Sequence, residues 1–177
     1  MNSKKKINAS KIAVFAGSFD PFTEGHLDIA KRAAAMFDEL WILVAVNASK
    51  SCLFSLKNRI DFIRKSCKNL RNVKVAEFSG LTVEFMQKVG ARYLVRGVRN
   101  GSDMDYELSV GWNNKTLYPE CESVYLASAP EHLAVSSTVV RELLKCGIAK
   151  TAAGRKKLAK YVPAEILPMV VEFGGPK

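Results

Sequence analysis

Gly17-Ser18-Phe19-Asp20-Pro21-Phe22-Thr23-Glu24-Gly25-His26 is the stretch that decides how this chain is read. Before it runs Ile12-Ala13-Val14-Phe15-Ala16, an apolar segment with the character of a buried strand. After it, Leu27, Ile29, Ala30, Ala33, Ala34 and Phe37 recur at helical spacing. A glycine, a hydroxyl and a histidine therefore share one strand-to-helix turn. In an α/β sheet such a turn lies at the carboxyl edge, where ligands bind. The start of the helix offers free N–H groups and the positive end of a dipole, and both favour an anion. His26, in the first helical turn, sits beside any phosphate held there. A lone histidine at such a place would be an ordinary helix residue; the ten-residue pattern gives this one chemical weight.

The alternation continues along the chain. Strands are expected at 11–16, 40–47, 72–77, 92–96 and 122–127. Helices are expected at 26–38, 57–69, 82–90, 104–118, 137–146, 151–159 and 163–172, with Pro163 in the first turn of the last. Repeated βα units imply a parallel sheet with right-handed crossovers and helices on both faces. The strands are continuous apolar runs, as a sheet covered on both faces requires. The expected organisation is one domain over 11–177 with helical C-terminal additions, preceded by a loose basic tail at 1–10.

A chain of 177 residues that is 48% hydrophobic suits a single core. The formal net charge of +10 suits anionic partners, either nucleic acid or small phosphates. Much of that charge is terminal, in Lys4, Lys5, Lys6 and Lys11 and in Arg155, Lys156, Lys157 and Lys160, where solvated faces account for it. No basic strand is interleaved with aromatics, so a nucleic-acid-binding module is the remote alternative and no nucleic-acid partner is expected. The run Leu40–Val46 is a strand, too short to cross a membrane. Lys4–Lys6 are not followed by the apolar segment of a signal peptide, so a cytoplasmic protein without a membrane partner is expected. Cys52, Cys67, Cys121 and Cys146 form no C-x-x-C pair, which argues against structural zinc and for reduced thiols. Cys67 and Cys146 read as packing residues within helices.

Three further turns carry unusual chemistry. After the fourth strand comes Arg96-Gly97-Val98-Arg99, where a glycine admits a ligand close to the backbone and guanidinium forks suit phosphate oxygens. After the second strand, Lys50 could reach an anion or could be an ordinary exposed lysine. After the fifth strand, His132-Leu133-Ala134-Val135 leads into Ser136-Ser137-Thr138. One hydroxyl is enough for an N-cap; three also suit a second phosphate-binding helix start. Asp105-Tyr106-Glu107 reads as the opening of a long helix, where acids gain roughly 0.3–1 kcal/mol from the dipole. Glu107 could instead accept hydrogen bonds from a base or ribose. These turns supply cations and hydroxyls but no nucleophile–base pair, no G-x-x-x-x-G-K-[ST] loop and no G-x-G-x-x-G fingerprint. Such groups suit a site that stabilises a transferring phosphoryl group by position and charge.

From Lys11 to its end the chain resembles the bacterial phosphopantetheine adenylyltransferase family of the nucleotidyltransferase superfamily, T-x-G-H being a variant of that superfamily's H-x-G-H element. The matching segments are Gly17–His26, Ser49-Lys50, Gly80-Leu81-Thr82-Val83, Arg96–Arg99, Asp105-Tyr106-Glu107 and Val135–Thr138. The resemblance implies a Rossmann-like, doubly wound α/β fold, its five-stranded parallel sheet ordered 3-2-1-4-5. It implies transfer of the adenylyl group of ATP to 4′-phosphopantetheine, giving dephospho-coenzyme A and pyrophosphate by direct in-line attack. His26, Lys50 and Arg96 would be catalytic, with His26 stabilising the transition state. Gly17, Ser18, Phe19, His26, Gly97, Val98, Arg99, Glu107, His132, Leu133, Ala134, Val135, Ser136, Ser137 and Thr138 would hold ATP. Ser18, Lys50, Thr82 and Arg96 would hold the acceptor. Mg²⁺ would be carried mainly by the ATP phosphates, with no protein metal site, and the assembly would be a homohexamer. Ser51 and Cys52 depart from the usual S-K-K-P, His132 stands where an aromatic is common, and Asn113 and Lys115 are atypical. The alternative is an adenylyl- or cytidylyltransferase acting on another phosphorylated acceptor, such as nicotinamide mononucleotide.

Overall fold

The computed structural model describes residues 10–46 and 51–174. Strands β1 (Ile12–Gly17), β2 (Glu39–Ala45), β3 (Val73–Phe78), β4 (Tyr93–Val98) and β5 (Glu122–Ala127) alternate with helices α1 (Glu24–Met36), α2 (Leu56–Ser66), α3 (Thr82–Val89) and α4 (Gly101–Leu117). Helices α5 (Ser137–Lys145), α6 (Ala152–Leu158) and α7 (Leu167–Gly174) follow. All strand pairs are parallel, in the order β3-β2-β1-β4-β5, so the expected Rossmann-like α/β architecture and strand order are those of the molecule.

Alternation along the central strands explains why both faces are covered. Ala13 and Phe15 of β1, with Leu40, Ile42 and Val44 of β2, join Phe62, Ile63, Leu144 and Val170 in one buried cluster. Val14 and Ala16, with Leu43 of β2 and Leu94 of β4, join Val83, Phe85 and Met86 in another. The edge strand β3 breaks its apolar run with exposed Lys74 and Glu77, which discourages pairing with another sheet. Among the described residues no helix is long and apolar enough to cross a membrane.

Local hydrogen bonds move several expected boundaries. Thr23 caps α1, so the helix begins at Glu24 rather than 26. The Asn100 side chain accepts from the Asp103 N–H at 2.9 Å, so α4 begins at Gly101. Asp103 is thus the acid of its first turn, and Asp105-Tyr106-Glu107 lie one turn further on rather than at the opening. β4 runs on through Val98, paired with Ala127, so Arg96 and Gly97 are strand residues and not a turn. The Pro163 carbonyl accepts from Ile166 and Leu167, making it the opening of a turn that precedes α7. Cys67 is buried as expected, and burial pushes its thiol up to about 12; Cys146, by contrast, is exposed at the C-terminal cap of α5.

Phe62 is fully buried and meets the Phe54 ring edge-on at 5.1 Å. Phe62→Ala is expected to lower stability by about 3–5 kcal/mol. Urea titration would show this as an earlier midpoint with an unchanged slope.

Candidate active site

The strand order reverses between β1 and β4, and there a cleft of about 510 Å³ opens at the carboxyl edge. Its floor is the β1–α1 turn, which is held in an unusual backbone form. Phe19 lies in the left-handed region at φ 48°, and its buried ring packs against Phe15, Phe22 and His26. A Cβ at Gly17 would lie 3.0 Å from the Phe19 ring, so a larger residue there would press on that ring.

Side chains from distant elements pin this turn. The buried Asp20 carboxylate accepts from the Leu53 and Phe54 N–H groups, both at 2.9 Å. Arg59 donates to the Ser18 carbonyl at 2.8 Å, Arg141 to the Asp20 carbonyl at 2.7 Å and Ser137 to the Pro21 carbonyl at 2.8 Å. The three hydroxyls after β5 therefore each have structural work. Ser136 caps α5 by accepting from the Val139 N–H, Ser137 holds the turn, and Thr138 accepts from Arg141.

His26 and Thr23 form a reciprocal cap. The His26 N–H donates to Thr23 Oγ1 at 3.3 Å, and the Thr23 N–H donates to His26 Nδ1 at 3.1 Å. Thr23 Oγ1 also lies 2.9 Å from Nδ1. A backbone N–H can only donate, so Nδ1 is the acceptor and the proton of the neutral ring sits on Nε2. Enclosure by its surroundings, and then the positive charges of Arg99 and Arg96, lower the imidazole from 6.5 to about 4. The ring facing the cleft is thus a neutral donor at pH 7.

The arginines are held with equal care. Arg96 donates through Nε to Glu107 Oε2 at 2.6 Å, through Nη2 to Glu107 Oε1, and through Nη1 to the Ala16 carbonyl at 2.8 Å. Arg99 donates through Nε to Asp103 Oδ2 at 2.8 Å and through Nη2 to Asp103 Oδ1 at 3.2 Å. Both carboxylates come from α4. Glu107, considered above as a partner for a base or ribose, has both oxygens occupied by Arg96.

Of the expected site residues, Gly17, Ser18, Phe19, His26, Thr82, Arg96, Gly97, Arg99, Glu107, His132, Val135, Ser136 and Ser137 line this one cleft. Val98, Leu133, Ala134 and Thr138 do not, and Lys50 lies outside the described residues. The cleft also takes in Ile29, Ala45, Asp103, Tyr106 and Ser128, which were not singled out as site residues. Ala45 and Ser128 stand at or just past strand ends, a place that could have flagged them. Asp103 lies four residues after Arg99, but its meaning depends on where α4 starts.

The fold and the cleft define a nucleotidyltransferase-type α/β protein, and the cytidylyltransferase-like family model matches residues 14–143. A solved nicotinic acid mononucleotide adenylyltransferase of Plasmodium falciparum, in complex with NaAD, superposes with a TM-score of 0.66. It is 13% identical, covers 93% of this chain and 96% of its own, and attests the fold alone. Sequence relatives are nearer. A phosphopantetheine adenylyltransferase of Dictyoglomus turgidum is 47% identical over 135 residues, 76% of this chain and 84% of the relative. One of Streptococcus pneumoniae is 44% identical over 160 residues, 90% of this chain and 94% of the relative. This chain belongs to the phosphopantetheine adenylyltransferase family.

The depressed imidazole makes a prediction with a definite sign. Below pH 6.5 the unfolded chain takes up a proton that folded His26 refuses until about pH 4. Its contribution to stability is therefore complete above pH 6.5 and is lost as pH falls towards 4. NMR titration is expected to place the His26 midpoint near 4, and His26→Gln to flatten the stability slope between those limits. A midpoint at 6 or above would contradict this account of the ring.

Proposed function

We propose that the protein transfers the adenylyl group of ATP to 4′-phosphopantetheine, giving dephospho-coenzyme A and pyrophosphate, and so serves coenzyme A synthesis. The observation that carries the mechanism is the neutral His26 ring, its Nδ1 held by Thr23 and its Nε2–H left for the cleft. A phosphate oxygen of the acceptor attacks the α-phosphorus of ATP. The new P–O bond forms as the bond to the pyrophosphate oxygen breaks, with no covalent enzyme intermediate. Negative charge grows on the non-bridging α-oxygens, and the His26 Nε2–H donates to one of them. A neutral donor fixed beforehand needs no reorganisation as that charge develops.

Arg96, Ser18 and Lys50 orient the acceptor phosphate, and Thr82 lines the pantetheine path. Gly17, Phe19, Gly97 and Arg99 hold ATP together with His132, Val135, Ser136 and Ser137, while Glu107 acts through the Arg96 it holds. Arg96 has spent its Nε and Nη2 edge on Glu107, so one N–H on each of Nη1 and Nη2 remains for phosphate. Magnesium would enter as part of the nucleotide substrate and would supply neutralising charge for the leaving pyrophosphate. In keeping with this, the cleft carboxylates Asp103 and Glu107 are already paired with arginines.

Residues 11–177 act as one nucleotidyltransferase unit in the cytoplasm. The assembly is a homohexamer, and α4 supports self-association. In this 17-residue helix Glu107 is the one buried residue, while Tyr106, Trp112 and Leu117 are exposed. Exposed apolar side chains on one helix suit a protein–protein contact. Trp112→Asp is expected to shift the sedimenting species to smaller assemblies; an unchanged distribution would remove Trp112 from the interface.

Pyrophosphate release from ATP with each acceptor separately tests the activity. Turnover with phosphopantetheine and not with nicotinamide mononucleotide is expected, and the opposite preference would overturn the reading. His26→Ala should lower kcat by about 10²–10³-fold while ATP binding is largely kept.

A further inference from the structure

Helix α4 meets the cleft through two acids one turn apart, Asp103 and Glu107, and each holds an arginine of the β4 end. The two pairs are built alike. Each arginine gives its Nε and Nη2 to a carboxylate, which leaves both Nη1 hydrogens of Arg99 and one Nη2 hydrogen without a partner among the described residues. Asp103 does more than pair with a charge. Its Oδ2 also accepts from the Arg99 backbone N–H at 3.2 Å, so one carboxylate holds both the backbone and the side chain of Arg99. The paired arginine lowers the Asp103 carboxyl below its ordinary value, so the clamp is ionised at neutral pH.

We infer that Asp103 is a positioning residue that presents the Arg99 guanidinium to a nucleotide triphosphate; this rests on the functional reading above, in which Arg99 holds ATP. A carboxylate beside a phosphate-binding arginine opposes the phosphate electrostatically. In this partly exposed pair water screens that repulsion, whereas an unrestrained arginine would lose its side-chain freedom on binding whatever the solvent. Fixing the guanidinium in advance therefore outweighs the adverse charge. As the first-turn acid of α4, Asp103 also interacts favourably with the helix dipole, and the test must separate that from positioning.

Calorimetric ATP titration of the full-length wild type, Asp103→Asn, Asp103→Glu, Arg99→Ala and the double variant Asp103→Asn/Arg99→Ala makes the separation. Asp103→Asn is expected to weaken ATP binding by about tenfold, the size of one charge-assisted hydrogen-bonded contact, and Asp103→Glu to recover most of it. In the Arg99→Ala background the Asp103→Asn change should have no further effect. Phosphopantetheine affinity should stay within about twofold throughout, since the acceptor's Arg96 is held by Glu107 and shares no hydrogen-bond partner with the Asp103–Arg99 pair. Multiplying effects in the double variant, equal losses for both ligands, or tighter ATP binding by Asp103→Asn would each overturn the inference. A wild type that binds ATP with the expected Asp103 dependence but does not turn over phosphopantetheine would overturn the acceptor assignment and support the role of Asp103. A wild type that binds no ATP would overturn both.

Discussion

Burying β1 on both faces is the constraint from which the rest follows. With Ala13 and Phe15 packed under one helical layer and Val14 and Ala16 under the other, β1 can meet a ligand only towards its carboxyl end, where Phe15 and Ala16 reach the cleft. A binding site can form only where the strand ends and its neighbours leave in opposite directions. At the β1/β4 reversal, backbone groups emerge beside the first turns of two helices, and the cleft opens there.

Such an opening is useful only if its loops hold still, and here cations do that work. Arg59, Arg96 and Arg141 donate to the carbonyls of Ser18, Ala16 and Asp20, so three arginines from three elements brace the end of β1 and the turn that follows it. Their positive charge serves structure first and ligand second. The same holds for the hydroxyls of Ser136 and Ser137, which cap a helix and fasten the turn while also lining the cleft. Among the described residues the network leaves Arg59 Nε buried without a partner, while Arg96 and Arg99, which line the cleft, keep spare N–H groups. The neutral state of His26 belongs to the same economy, because Arg99 and Arg96 help to keep a second proton off the ring.

Much of this was legible in the residues. The continuous apolar runs announce a doubly covered parallel sheet, and Gly17–His26 announces a ligand-binding turn, because those patterns reflect local propensity and burial that the chain cannot satisfy otherwise. The start of α4 was not legible. Two acids, Asp103 and Asp105, could each head the helix, and the choice fell to the Asn100 cap. Nor could Cys146 be told from Cys67, since both sit in helical patterns and only packing decides which face is covered.

The sequence by itself determined the class of fold, the position of the nucleotide-binding turn, and the residue types gathered at the strand ends. Tertiary structure alone decided how those residues are spent. It gave Glu107 to Arg96 and Asp103 to Arg99, turned Nδ1 of His26 inward onto Thr23, and tied the Ser18 carbonyl to Arg59 on α2. The reason is that periodicity and propensity act over neighbouring residues, whereas the partner of a charged group is whichever one the packed sheet brings within hydrogen-bond reach.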